Sequence, residues 1–225
     1  MSKQEDINEK MRAILIDWLI DVQIKYKLSP KTIYITVILI DIYLSKTQVY
    51  RTNFQLVGIT AMYIACKYQE IYYPIMENFV YITDKAYVKS DMQKMLSQML
   101  KTLNFDMNFP TQWDFLVSYK RKLDLDEKTF NLAWFLMELC LIDYEILGFK
   151  MSHIAASAII IAATNTGVYR NNWIKDNIGI DEEDLDLCRK EIYEFYNNNL
   201  ESNLKAIKRK FSSSKYLEVA KIELS

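Results

Sequence analysis

Residues 32–44 read TIYITVILIDIYL, and residues 129–141 read TFNLAWFLMELCL. Setting Thr129 over Thr32 gives an offset of 129 − 32 = 97 positions. The same offset lays FQLVGITAMYIA at 54–65 over MSHIAASAIIIA at 151–162. Small residues then coincide: Gly58 with Ala155, Ala61 with Ala158, and Ala65 with Ala162. Their i, i+3, i+7 spacing puts them on one helix face, where small side chains let neighbouring helices come close. The other faces of both helices are largely apolar too, as in a helix buried all round. Two unrelated bundles would not share register across two separate helices. The chain therefore reads as an all-α tandem repeat, two five-helix folds each built around a central small-residue helix. The boundary falls near residues 106–110, giving domains at 1–106 and 107–225.

Working outward, the apolar residues recur at helical spacing between punctuating prolines. Ser29-Pro30 has the form of an N-cap followed by a first-turn proline. Pro74 and Pro110 each separate one helix from the next. The expected helices are 8–27, 30–45, 54–69, 75–83 and 89–103, then 111–122, 126–144, 151–166, 170–177 and 181–199. From Lys205 the pattern loses regularity, interrupted by Ser212, Ser213 and Ser214.

Composition excludes several classes. Hydrophobic residues make up 51%, ample for a core, and 28 basic residues against 29 acidic ones disfavour a polyanion partner such as nucleic acid. No apolar run reaches the roughly 18 residues of a membrane span. The opening MSKQEDINEK resembles neither a signal nor a transit peptide. Cys66, Cys140 and Cys188 are odd in number and far apart, so neither a disulfide framework nor a zinc ribbon is indicated. A reducing intracellular compartment fits best, with nucleus and cytoplasm both open. The four glycines are scattered, whereas phosphate-cradling loops need them clustered.

Catalytic constellations are equally absent from the sequence. His153 is the single histidine and has no paired ligand nearby, so it reads as a core or helix-end residue. The acidic run Asp181, Glu182, Glu183 and Asp184 could suggest carboxylate chemistry, or could stabilise a helix N-terminus. No metal and no cofactor are expected. One helix, however, carries more apolar surface than its own core requires. Met11, Ile14, Leu15 and Trp18 form one stripe, widened by Leu19, Ile16 and Ile20. Part of it should be exposed or pressed against further structure.

MRAILIDWLIDV at 11–22 and QLVGITAMYIACKYQEIYYP at 55–74 closely resemble the cyclin box of A- and B-type mitotic cyclins. FVYITDKAY at 79–87, LNFDMNFPT at 103–111 and SSSKYLEVA at 212–220 extend the resemblance, in order, over nearly the whole chain. It implies a pair of five-helix cyclin folds and a non-catalytic subunit that binds and activates a cyclin-dependent kinase as a heterodimer. The helix preceding the first box in such cyclins, and any N-terminal degradation signal, are expected to be mostly missing.

The resemblance also assigns residues. Kinase contact falls to Lys67, surrounded by apolar Ile64, Tyr68, Leu100, Phe105 and Met107. Without it, Lys67 is simply a cation placed comfortably at a helix C-terminus. A second patch, Met11, Ile14, Leu15, Trp18, Asp21, Phe54 and Gln55, is implied to receive substrate or inhibitor peptides carrying an arginine and a leucine. Asp21 would pair the arginine, Gln55 the peptide backbone, and the apolar group the leucine. Four positions depart from the family pattern. Leu96 and Gln69 stand where glutamates are usual, Asp21 replaces a glutamate, and Phe54 often a leucine. Leu96 and Gln69 keep open a cyclin-like scaffold that binds a partner without activating it. A module like general transcription factor IIB shares the duplicated fold, but the balanced charge and the 11–22 and 55–74 segments argue against it.

Overall fold

The computed structural model describes residues 4–170, 172–199 and 204–224. The chain divides into two compact units, Met1–Phe109 and Pro110–Ser225. The first holds α1 (Glu9–Tyr26), α2 (Pro30–Lys46), α3 (Arg51–Gln69), α4 (Met76–Ile82) and α5 (Lys89–Thr102). The second holds α6 (Gln112–Leu123), α7 (Glu127–Ile142), α8 (Met151–Thr166), α9 (Trp173–Ile178) and α10 (Asp186–Asn198). A short α11 (Ala206–Phe211) and 3-10 turns at Ser214–Tyr216 and Val219–Lys221 order the tail. No strand occurs among the described residues.

The repeat extends well beyond the two helices that revealed it. α1 and α6 end at Tyr26 and Leu123, and α2 and α7 begin at Pro30 and Glu127. α3 and α8 end at Gln69 and Thr166, α4 and α9 begin at Met76 and Trp173, and α5 and α10 begin at Lys89 and Asp186. Every pair keeps the offset of 97 positions read between Thr32 and Thr129. Even a helix cap recurs: Lys27 and Asp124 both turn left-handed, with φ of 53° and 49°. The following N–H of Leu28 or Leu125 then returns to the carbonyl of Gln23 (3.0 Å) or Lys120 (3.1 Å).

In the first unit α3 packs against α1, α2, α4 and α5, and residues 56–66 are all buried. In the second, α8 packs against α6, α7 and α10, with residues 154–163 all buried. At Gly58 the Leu15 side chain of α1 comes close to α3. A Cβ there would lie 2.7 Å from Leu15 Cδ1, so the missing methyl leaves the room that the Leu15 side chain fills.

Long-range caps moved some boundaries. α3 begins at Arg51 rather than Phe54, because the Asp6 carboxylate accepts the Arg51 N–H at 2.7 Å. Ser29 precedes Pro30 as expected, but its side chain makes no capping bond. Glu70 does that work from the end of α3: its Oε1 accepts the Ser29 N–H (2.7 Å) and the Thr32 hydroxyl (2.5 Å). A carboxylate at the N-terminus of α2 also suits the helix dipole. α9 starts at Trp173, not Arg170, Asn171 lying outside the described residues. The acidic run occupies a 3-10 turn, Glu182–Leu185, ahead of α10. Asp181 pairs with Lys175 at 2.5 Å, and Glu182 accepts the Tyr169 hydroxyl. The first turn of α10 itself carries only Asp186.

Each unit pairs one acid of its second helix with a buried cation. Asp41 on α2 holds Arg12 of α1 through two bonds of 2.7 Å, and Arg12 is completely buried. Glu138, the corresponding residue of α7, accepts Lys210 Nζ at 2.5 Å and Trp134 Nε1 at 2.8 Å. Phe109 occupies the position that Arg12 holds in the first repeat. The second unit therefore draws its cation from α11, which fastens the tail to α7. Removing one partner of a buried pair strands the other charge. Lys210→Met is expected to destabilise the chain by about 3–5 kcal/mol in urea denaturation, with most of the loss recovered by Glu138→Leu in the same chain.

All three cysteines are free and buried. Burial pushes the Cys66 thiol up to about 12, with Glu70 adding to the effect, and the Cys188 thiol up to about 11. Cys140 is raised well above the ordinary range by the same desolvation. The thiolate is the reactive form, so at pH 8 a thiol reagent should modify none of the three until denaturant is added. In the linkage sense, the unfolded thiols ionise near their ordinary 9.0 while the folded ones keep their protons. Stability is therefore intact below about pH 9 and falls as pH rises toward 11–12. An unfolding midpoint that stays level or rises from pH 8 to 10.5 would contradict this.

Candidate functional site

The buried stretch of α3 ends abruptly. After Cys66, Lys67 and Tyr68 emerge, Tyr68 being 50% exposed. The matching end of α8 closes on itself instead. Thr164 donates its hydroxyl to the Ile160 carbonyl (2.9 Å), and Asn165 donates its amide to the Ile161 carbonyl (2.8 Å). The same fold thus finishes with polar side chains bonded to their own helix in one repeat, and with an exposed cation and aromatic in the other.

α5 packs against α3 and adds a second apolar projection. Its C-terminus closes with the Asn104 N–H on the Lys101 carbonyl (3.1 Å) and the Phe105 N–H on the Leu100 carbonyl (3.0 Å). This double return requires a left-handed residue after the cap. Asn104 takes that conformation, with φ of 52°, and Phe105 follows with φ of 55°. A bulky residue in this region carries strain. Phe105 is held there with 66% of its surface exposed. Leu100 and Met107 are half-buried. Ile64 is only 3% exposed, so it lies in the core rather than presenting a face of its own. Leu96 and Gln69, the positions without the usual glutamates, are both half-buried.

Lys67 has neighbours that sequence spacing only half disclosed. Its Nζ lies 5.7 Å from the centroid of Tyr63 and 5.9 Å from that of Tyr73. Tyr63 precedes it by four residues on the same helix, a pairing that helical periodicity predicts. Tyr73 arrives from the loop after Glu70, and nothing in a linear pattern announces it. Ile71 and Tyr72 in that loop stand almost fully exposed.

The stripe on α1 separates into an outer and an inner part. Ile14 is 56% exposed, and Met11, Trp18 and Asp21 are half-buried. Leu15, expected among the contacting residues, is turned inward against Gly58 and buried. Ile16, Leu19 and Ile20 face the core. On α3, one turn before Gly58, Gln55 is half-buried and Phe54 is buried. Of the seven residues expected in the patch, Leu15 and Phe54 are thus buried, Ile14 is exposed, and Met11, Trp18, Asp21 and Gln55 are half-buried. Among the described residues no cluster of histidines, cysteines and acids could hold a metal ion.

Comparison with known proteins agrees with this architecture. Cyclin-B2-1 of Arabidopsis thaliana is 41% identical over 225 residues, covering 99% of this chain and 52% of that protein. G2/mitotic-specific cyclin-2 of Medicago sativa is 37% identical over 226 residues, covering 99% and 69%. The chain spans about half the length of relatives such as Cyclin-B2-1. In fold, it superposes on a viral cyclin from herpesvirus saimiri with a TM-score of 0.75 at 17% identity, covering 88% of this chain and 90% of that one. A chain of the yeast RNA Pol II CTD kinase CTDK-1 complex matches with a TM-score of 0.72 at 17% identity, covering 93% and 77%. Residues 1–108 match the cyclin N-terminal domain and residues 110–225 the cyclin C-terminal domain, so the chain belongs to the cyclin family.

Proposed function

We propose that this chain is a non-catalytic regulatory subunit that binds and activates a cyclin-dependent kinase in the control of cell division. The observation that carries the proposal is the outward pair Lys67 and Tyr68 at the end of α3, with strained, exposed Phe105 after α5. The second repeat ends its central helix in polar, self-bonded residues, so these outward groups are not a by-product of the fold. Relatives named as B-type and G2/mitotic-specific cyclins support the assignment. So does a fold neighbour taken from a kinase complex.

The mechanism is stoichiometric. A kinase whose regulatory helix is swung out lacks the lysine–glutamate pair that positions the ATP phosphates. A subunit that binds the swung-in state better shifts the population toward it by the difference in the two affinities. Burying exposed apolar side chains such as Phe105 and Tyr68 contributes roughly 1.5–3 kcal/mol each before the costs of association. Leu96 substitutes apolar contact for the usual charge, which favours a partner presenting an apolar residue there. In the same proposal the patch of Met11, Ile14, Trp18, Asp21 and Gln55, with Leu15 and Phe54 buried, receives peptides bearing an arginine and a leucine. The proposed compartments are nucleus and cytoplasm, and nucleic acid has no part.

Lys67→Ala and Phe105→Ala should each weaken the complex with a mitotic cyclin-dependent kinase and lower its activation, measured by calorimetry and a phosphorylation assay. Normal binding and activation by both variants would refute the docking face. Trp18→Ala should reduce phosphorylation of substrates carrying the arginine–leucine motif while leaving motif-free substrates unaffected. Equal effects on both substrate classes would remove the peptide role from the α1 patch.

A further inference from the structure

Lys67 is one side chain on which the proposed docking depends, and two rings outside the predicted site lie near its ammonium. Its Nζ is within reach of two ring faces, Tyr63 at 5.7 Å and Tyr73 at 5.9 Å. Attraction of a cation to an aromatic face extends to about 6 Å from the centroid. The rings themselves meet edge to face at 6.5 Å, and Tyr63 is braced from behind by Phe79 at 5.4 Å. Tyr63 is buried, whereas Tyr73 is 39% exposed in the loop between α3 and α4, just before Pro74. One ring thus belongs to the core and the other is supplied by the loop.

A lysine at an exposed helix end ordinarily samples many rotamers, and a partner that fixes it must overcome that loss of entropy. Two rings flanking the ammonium narrow those rotamers before any partner arrives. The need is greater here because Leu96 provides no second charged anchor on α5. We infer that Tyr73 is a positioning residue for partner binding: it holds Lys67 against Tyr63 in the orientation the kinase helix receives. The inference rests on the docking role proposed for Lys67. It makes Tyr73 important through Lys67 rather than through contact of its own.

The test is a double-mutant cycle with a purified mitotic cyclin-dependent kinase, joined to a measurement on the unbound chain. In the unbound chain, Tyr73→Leu should shift the Lys67 ε-methylene proton resonances downfield as the ring current is lost, and Tyr73→Phe should not. Tyr73→Leu should weaken kinase binding about two- to fivefold, the range of an exposed cation–π contact. Tyr73→Phe should bind normally. In a Lys67→Met background, Tyr73→Leu should cost nothing further. Unshifted resonances, or an equal loss from Tyr73→Leu in both backgrounds, would overturn the inference while leaving the docking role intact. If Lys67→Met alone bound normally, the docking role itself would fall, and with it the role of Tyr73 in binding.

Discussion

The structure depends on burying a helix from all sides. A helix can be enclosed by neighbours only if some of its side chains are small enough for them to close in. Gly58, Ala61 and Ala65 meet that demand in α3, and Ala155, Ala158 and Ala162 meet it in α8. At Gly58 the tolerance is a single methyl group, since a Cβ there would fall 2.7 Å from Leu15. Enclosure also decides where function can sit. Residues 56–66 have no surface to offer, so α3 can meet a partner only near its ends, where Gln55 precedes the buried stretch and Lys67 and Tyr68 follow it.

Duplication gave both units the same frame, and divergence fell at the ends of helices and in the buried ion pairs. α8 ends at Gly167 in the left-handed conformation, whereas α3 ends at extended Glu70, which reaches across to cap α2. The acid at Asp41 or Glu138 persists, but its cation comes from α1 in one unit and from α11 in the other. Glu138 is fully buried, and a buried carboxylate tolerates lack of a partner poorly, so with Phe109 at the position of Arg12 the cation has to come from elsewhere. α11 is thereby bound into the second unit's core.

Much of this was legible in the residues. Five helices per repeat follow from periodicity and proline punctuation, because both are local properties, and the offset of 97 aligns them all. What could not be read depends on chain segments that meet only after folding. The start of α3 answers to Asp6, 45 residues away, and the cap of α2 to Glu70 rather than adjacent Ser29. Helical spacing put Met11, Ile14, Leu15 and Trp18 in one stripe, but it could not say that Leu15 would turn inward beside Gly58 while Ile14 stayed out. The same limit hid the burial of Phe54 and Ile64. The lysine at position 67 was visible; Tyr73, folded back beside it, was not.

Amide hydrogen exchange, compared between the chain alone and its complex with a mitotic cyclin-dependent kinase, tests the central claim most directly. The α3–α4 loop at residues 70–75 and the α5–α6 loop at residues 104–109 should exchange markedly more slowly in the complex, since a partner seated on the ends of α3 and α5 covers both. Slowing confined to the second unit, with both loops unchanged, would contradict the account.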